Sequence, residues 1–148
     1  MELQFVTAKS GDFRALAAQL DAYYFELVGD IQLRYAEPNR PENMDALAVV
    51  YENGQPIACG AWKAVDGDTA ELKRIFVLPE HRRRGIASRM MQQLESHAAY
   101  HGYRKMILET ATTTADSQKL YLSQGYRRID YYGSPAGAEN CMCFIKEL

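Results

Sequence analysis

The order of apolar and polar positions divides the chain into short strand-like segments and longer helix-like segments. Strand-like segments are apolar, rich in β-branched or aromatic residues, and bounded by turn residues; they cover residues 3–7, 47–51, 56–62, 70–78, 105–110, 126–132 and 140–146. Helix-like segments carry capping residues or an apolar repeat of three to four positions; they cover residues 13–27, 86–98 and 113–124. Residues 34–44 contain two prolines and are expected to form a loop or at most a short second helix.

Turn residues fix several of these boundaries. Ser10 precedes the first helix as a cap, Asn53-Gly54 predicts a tight hairpin, and Gly102 follows the second helix as a C-cap glycine. The strands on either side of the second helix should run parallel, because a helical crossover joins them. We therefore predict one domain over residues 1–148, with an α/β (α+β) fold. Its sheet is mixed and mostly antiparallel, with one β-α-β crossover.

Composition excludes several classes of protein. The chain has 148 residues, 47% of them hydrophobic and 24% charged, which is typical of a soluble globular domain. Its net charge of −2 argues against general nucleic-acid binding, and no apolar run is long enough for a membrane span. Cys59, Cys141 and Cys143 are too few for a zinc site and are expected to be buried hydrophobes. We expect a cytoplasmic protein without a metal, a nucleic-acid partner or a membrane partner.

Positive charge is concentrated in the segment Arg82-Arg83-Arg84-Gly85-Ile86-Ala87, between a strand and a helix. A turn of this kind leaves unpaired N–H groups at the positive end of the helix dipole. Gly85 and the small Ala87 allow a phosphate to approach the backbone, and Ser88 adds a hydroxyl. The segment therefore predicts a pyrophosphate site. The alternative is a strand-to-helix turn with a solvated basic run.

Two motifs resemble those of the GCN5-related N-acetyltransferase (GNAT) family. Residues 70–91 read AELKRIFVLPEHRRRGIASRMM and resemble the acetyl-CoA-binding motif, while Leu120-Tyr121-x-x-x-Gly125-Tyr126 resembles the family's LY-x-x-x-GF signature. The predicted order of elements also resembles the family fold, so the likeness covers nearly the whole chain. It implies that strands 70–78 and 105–110 splay apart and admit the pantetheine arm of acetyl-CoA.

The same resemblance assigns residues to the cofactor. Those expected to contact acetyl-CoA lie in the strand end, the loop and the first turns of two helices: Phe76, Val77, Arg82, Arg83, Arg84, Gly85, Ile86, Ala87, Ser88, Thr110 and Ser117. Family members often carry an asparagine seven residues before the motif tyrosine, where this chain has Thr114. Thr114 or Ser117 is the candidate replacement for its hydrogen bond to pantetheine.

Attack on a thioester needs a neutral amine, so a base is required, because alkyl ammonium groups have a pKa near 10. Glu71 is the candidate base: it is a charged residue in a central strand, and it matches the position of the catalytic glutamate in the family's histone-modifying members. The alternative for Glu71 is an ion pair with Lys73 or Arg74. Glu109 is the second candidate, as base or as ammonium-binding group.

Tyr121, at the motif position, is the candidate acid for the departing thiolate. A backbone N–H near Val77, freed by a β-bulge, is expected to meet the oxyanion.

The predicted activity is acetyl transfer from acetyl-CoA to a primary amine. The acceptor is expected to be a small molecule or an amino acid that contacts segments 22–45 and 129–141. Tyr24, Trp62 and Glu109 are candidate contacts, although Trp62 and the pair Tyr131-Tyr132 would equally suit the core. A catalytically silent acyl-CoA-binding sensor of the same fold is the alternative. A homodimer is open, as are the identity of the acceptor and the acyl-chain preference.

Overall fold

The computed structural model describes residues 1–29, 36–111, 115–133 and 141–148. Seven strands in these ranges form one sheet in the order β1-β2-β3-β4-β5-β7-β6. The strands are β1 (Glu2–Val6), β2 (Ala46–Glu52), β3 (Gln55–Ala64), β4 (Thr69–Val77), β5 (Lys105–Ala111), β6 (Arg127–Ile129) and β7 (Cys141–Glu147). The helices are α1 (Gly11–Val28), α2 (Ile86–Tyr100) and α3 (Ala115–Ser123). Only β4 and β5 pair in parallel among the paired strands described, which confirms the predicted mixed sheet with one crossover.

Local sequence signals account for most element ends. The Ser10 hydroxyl caps α1 by accepting a hydrogen bond from the Phe13 amide at 3.1 Å. Asn53 and Gly54 both adopt positive φ, 51° and 78°, as the tight β2–β3 turn requires. The predicted short second helix is only a 3₁₀ turn at Pro41–Asn43.

The predicted strand over residues 126–132 is too long, since β6 has three residues. Tyr126 is buried beside α2, where its hydroxyl donates to Glu95 Oε2 at 2.8 Å. Tyr131 and Tyr132 instead turn their hydroxyls toward carboxylates on β5 and β4. The side chains of Tyr131 and Tyr132 therefore make hydrogen bonds to other strands, and their backbone does not continue the β6–β7 pairing that the apolar pattern predicted.

The sheet separates two hydrophobic clusters. On one face, α1 packs its buried side chains Phe13, Leu16 and Leu20 against β2, β3 and β4. The other face is covered by α2 and by Tyr121 of α3. The approach of α2 is close at Gly60, where an added Cβ would lie 2.8 Å from both Ile75 Cδ1 and Leu94 Cδ1. Glycine at this position therefore allows the helix to pack against the sheet.

The parallel strands β4 and β5 separate near their middle. Their pairing ends at Glu71 and Ile107, although both strands continue for several residues beyond that point. At the same level β4 contains a bulge: two residues, Arg74 and Ile75, lie opposite the single residue Gly60 of β3. Arg74 has a φ of 60°, the left-handed conformation that such a bulge requires.

The predicted bulge is therefore present, but it lies at Arg74 rather than near Val77. The guanidinium of Arg74 is almost fully buried against α1. Its Nη2 donates to the Ala17 carbonyl at 3.0 Å and to Asp21 Oδ1 at 2.6 Å. This pair fixes the bulged strand to the helix. No helix in the described ranges is long and apolar enough to cross a membrane.

Candidate active site

A loop between β4 and α2 presents backbone N–H groups at one mouth of the gap. Arg83 and Gly85 adopt positive φ, 62° and 75°, and Gly85 is the N-cap of α2 without a side chain that caps the helix. The first-turn amides of α2 therefore have neither an intrahelical partner nor a capping side chain. A Cβ on Gly85 would meet no protein atom within 4 Å, so the space over its backbone is open. This arrangement suits a phosphate group.

The three arginines of the loop do different things. Arg84 makes a two-pronged ion pair with Glu52, with contacts of 2.5 and 3.2 Å, and the Arg84 guanidinium lowers the pKa of the Glu52 carboxyl. Arg82 donates from Nε to the Val77 carbonyl at 2.9 Å, and its guanidinium lies over the Phe76 ring. Arg83 is exposed and has no ion pair in the described residues. Arg82 and Arg84 thus hold the loop in place, and Arg83, which makes no ion pair with the described residues, can turn toward a ligand.

Three further predicted residues meet at the gap itself. Tyr24 of α1 forms a side-chain hydrogen bond with the buried Thr110 of β5, and burial is the main cause of its raised pKa. Tyr121 of α3 is 8% exposed, and its ring packs against Tyr126 and Phe144. Burial, with a smaller effect of Tyr24, raises the pKa of the Tyr121 phenol well above 10. Tyr121 therefore keeps its proton at neutral pH and can donate it.

The two candidate carboxylates lie on one face of the sheet, the face covered by α1. Glu71 pairs with Ile107 in the parallel register, and Glu109 is two residues further along β5, so both side chains project to the same side. Glu71 Oε2 accepts a hydrogen bond from the Tyr132 hydroxyl at 2.8 Å, and Glu109 Oε1 accepts one from Tyr131 at 2.9 Å. Two carboxylates therefore lie at the edge of the gap on the α1 side, with Lys73 beside Glu71.

The alternative of an ion pair at Glu71 is present in a weak form. Lys73 Nζ lies 3.7 Å from Glu71 Oε1, but it donates its 3.0 Å hydrogen bond to Asn39 Oδ1. Arg74 is held by Asp21 and makes no ion pair with Glu71. The side chain of Glu71 remains 14% exposed. It is neither neutralised by a close cation nor fully enclosed, as a proton acceptor requires.

The structure places Trp62 away from this site. Trp62 pairs with Leu72, on the face opposite Glu71, and its Nε1 donates to His97 Nδ1 at 3.1 Å. Trp62 therefore packs the core beneath α2, and the geometry does not support an acceptor contact there. Burial is the main cause of a lowered pKa at His97, so a neutral ring accepts this bond.

The remaining residues predicted to contact acetyl-CoA lie at the end of β4 and near the starts of α2 and α3. Phe76 and Val77 end β4, one packed on each face of the sheet. Ile86 is buried under the first turn of α2, and Ala87 and Ser88 are half-buried beside it. Ser117 is half-buried near the start of α3. Thr114 and parts of both segments expected to contact the acceptor lie outside the described residues.

Sequence reasoning missed the roles of Arg74 and Tyr132. Strand alternation from Ala70 and Leu72 predicts that Arg74 faces the core under α2. A charged residue at such a position was a signal that the strand bulges there and turns Arg74 to the other face. For Tyr132 the only signal was a pair of tyrosines after a short strand. In the described ranges no group of three or more His, Cys, Asp or Glu side chains could hold a metal ion.

The chain is similar to known acetyltransferases in both sequence and structure. The profile of the Acetyltransferase (GNAT) family matches residues 13–126. The uncharacterized N-acetyltransferase YjcF of Bacillus subtilis is 36% identical over 86 residues, which span 58% of this chain and 59% of that protein. The IAA acetyltransferase of Azospirillum brasilense is 31% identical over 141 residues, 89% of this chain and 87% of its own. A GNAT family acetyltransferase from Elizabethkingia anophelis, solved with acetyl-CoA bound, superposes with a TM-score of 0.73 at 20% identity, and the match covers 99% and 97% of the two chains.

Proposed function

Because the chain belongs to the acetyltransferase (GNAT) family, we propose that it transfers the acetyl group of acetyl-CoA to a primary amine by direct attack. One observation carries the proposal. β4 and β5 stop pairing beyond Glu71, Glu109 lies on the unpaired part of β5, and β4 leads on to the open amides at the start of α2. A donor with a phosphate at one end and a thioester at the other would fit along this split.

The residues at the loop fit the phosphates of the donor. Gly85 leaves open space above a left-handed backbone, the amides of the first turn of α2 are uncapped, and Arg83 has no ion pair in the described residues. These groups would bind the pyrophosphate through the main chain, with Arg83 adding charge. Phe76, Val77 and Thr110 would line the path of the pantetheine arm.

The chemistry needs two protons removed from the acceptor nitrogen and one delivered to sulfur. Glu71 takes the first proton from the acceptor ammonium, directly or through water, and the neutral amine attacks the thioester carbonyl. A C–N bond forms, the C–S bond breaks, and the proton of the Tyr121 phenol passes to the departing sulfur. The second proton of the nitrogen then returns to the Tyr121 oxygen, and Glu71 releases its own proton to solvent. A backbone N–H near the bulge in β4 would stabilise the oxyanion. Glu109 is the alternative base, or it binds the acceptor ammonium.

The acceptor is proposed to be a small-molecule amine or an amino acid, because the two carboxylates favour a cationic group at the edge of the gap. Tyr24 would contact it from α1. The proposed location is the cytoplasm, and no nucleic-acid or membrane partner is proposed. Whether the protein forms a homodimer is left open. Cys59 and Cys143 are buried thiols without a disulfide, which suits a reducing compartment.

Calorimetric titration with acetyl-CoA, followed by thiol release with a panel of amines, tests the proposal. Binding in the micromolar range is expected, together with release of CoA thiol by at least one amine. Glu71→Gln should keep the binding and lose most of the turnover, about 100-fold or more. Binding without turnover for any amine would support the silent sensor instead. No binding of acetyl-CoA, CoA or longer acyl-CoAs would refute both functions.

A further inference from the structure

Two adjacent tyrosines each hold a different carboxylate. The Tyr132 hydroxyl donates to Glu71 Oε2 on β4, and the Tyr131 hydroxyl donates to Glu109 Oε1 on β5. The two strands are those that separate to form the gap. One short segment that follows β6 therefore contacts both walls of the candidate site on its acidic side.

This segment is tightly fitted. An added Cβ on Gly133 would lie 2.5 Å from the Tyr131 hydroxyl oxygen and 2.9 Å from Glu109 Oε1, so a larger residue there would displace the ends of both side chains. Backbone N–H groups of Tyr132 and Gly133 also bond to the buried Cys143 thiol on β7. Contacts to three strands thus fix where the two phenols point.

The contact with Tyr132 distinguishes the two oxygens of Glu71. Oε2 is occupied by the phenol, whereas Oε1 accepts no hydrogen bond from the described residues and lies 3.7 Å from Lys73 Nζ. Burial and the charge of Glu71 raise the pKa of the Tyr132 phenol far above neutrality, so this phenol acts as a donor. The bond fixes the rotamer of the carboxylate and leaves Oε1 as the oxygen that can accept a proton.

We propose that Tyr132 is a positioning residue for acetyl transfer, which fixes the Glu71 carboxylate and directs Oε1 toward the amine, while Tyr131 orients Glu109. The proposal rests on the proposed function and deepens it by adding residues that act through the carboxylates. A donated hydrogen bond favours the ionised form of a carboxylate. Its loss should make protonation of Glu71 easier.

Other charged and titratable groups face Glu71 and would be unchanged in a Tyr132 variant. Lys63 of β3 pairs with Glu71 in the sheet, Lys73 lies on the same strand, and Glu109 and Cys143 lie on β5 and β7. These charged groups are the same in the wild type and in each phenylalanine variant. A difference between the proteins therefore reports the loss of the tyrosine hydroxyl.

The test compares Tyr132→Phe and Tyr131→Phe, with Tyr100→Phe as the matched control on an 87% exposed tyrosine. For Tyr132→Phe we expect kcat to fall roughly 10- to 100-fold, which corresponds to one hydrogen bond to a charged group. KM for acetyl-CoA should stay within about twofold. The acid limb of kcat/KM should move up by about half to one pH unit, and Tyr131→Phe should move that limb less.

A second measurement does not depend on turnover. Carbon-13 NMR of labelled glutamate carboxyls, assigned with Glu71→Gln, follows the titration of Glu71 in the wild type and in Tyr132→Phe. An upward shift of its midpoint in the variant supports the proposal even if no acceptor amine is found, in which case only the proposed function fails. If neither the titration midpoint of Glu71 nor the acid limb of kcat/KM moves in Tyr132→Phe, the positioning role is overturned, whether or not the variant is less stable to heat.

Discussion

Gly85→Ala tests whether the start of α2 binds the phosphates of the donor. Gly85 has a φ of 75° and an open space where a Cβ would stand. Inside the protein the new methyl group therefore meets nothing, and the only cost to folding is the left-handed backbone, about 1 kcal/mol for an alanine. For a domain of this size that lowers the melting temperature by roughly 3 °C.

The effect on acetyl-CoA should be larger, because the methyl group occupies the space that a phosphate would use. Losing even one hydrogen bond from a backbone amide to a charged phosphate costs about 1.5–3 kcal/mol. Each 1.4 kcal/mol is tenfold in affinity. We therefore expect binding of CoA and acetyl-CoA to weaken by about 10- to 100-fold in Gly85→Ala, measured by calorimetric titration.

Gly102→Ala is the matched control. Gly102 also has positive φ, 95°, and no atom within 4 Å of an added Cβ, but it follows the opposite end of α2. The same alanine penalty should lower its melting temperature by a similar amount while the affinity for CoA stays within about twofold. Equal affinities in the wild type and both variants would refute the phosphate site. Equal losses in both variants would show that the effect reflects stability instead.

Three further outcomes are expected. Tyr121→Phe should keep binding of acetyl-CoA within about threefold and lower kcat by about 10- to 100-fold in thiol release, since only the proton donor is removed; unchanged kcat would contradict the acid role. Gly60→Ala should lower the melting temperature by roughly 3 °C, because the new Cβ crowds the tip of Leu94 and overpacking costs about 1 kcal/mol or more; no change in a thermal melt would show that the packing adjusts freely. Burial and the neighbouring His101 lower the pKa of His97 in the folded state. The stability that the neutral ring provides is therefore fully present above the pKa of an unfolded histidine, about 6.5, and it is lost as pH falls below that value. Fluorescence of Trp62, the single tryptophan of the chain, should report that change between pH 7 and 5, and His97→Gln should abolish it.

The backbone at the start of α2 was easier to predict from sequence than the side-chain contacts across the sheet. Gly85 indicated this turn because a positive φ and an uncapped helix start depend on neighbouring residues in the chain. The hairpin at Asn53-Gly54 and the cap at Ser10 were predicted correctly for the same reason. The arginines were interpreted less well. Their charges were visible, but the pairing of Arg84 with Glu52 crosses 32 positions of sequence and cannot be read from the motif.

Two errors on the sheet have a common physical cause. Period-two patterning assigns each residue of a strand to a face, and a bulge reverses that assignment beyond it. The bulge in β4 was expected near Val77, yet it occurs at Arg74, where the buried guanidinium binds Asp21 of α1. Likewise the apolar pattern extended β6 through Tyr132, while the phenol is bonded to a carboxylate. In both cases a polar contact with a distant element decides the local backbone.

This difference explains why the family could be recognised while the acceptor could not. Phosphates are bound by main-chain amides, and the sequence requirement for presenting those amides is a local pattern of small residues and glycine. The candidate acceptor side instead combines side chains from separate segments, such as Glu71 and Tyr132, which meet across 61 positions of sequence. Each of these residues is unremarkable in its own segment. The chemistry of the acceptor therefore depends on which hydroxyls and carboxylates the fold brings together, and variants of Tyr131 and Tyr132 address it more directly than further motif comparison.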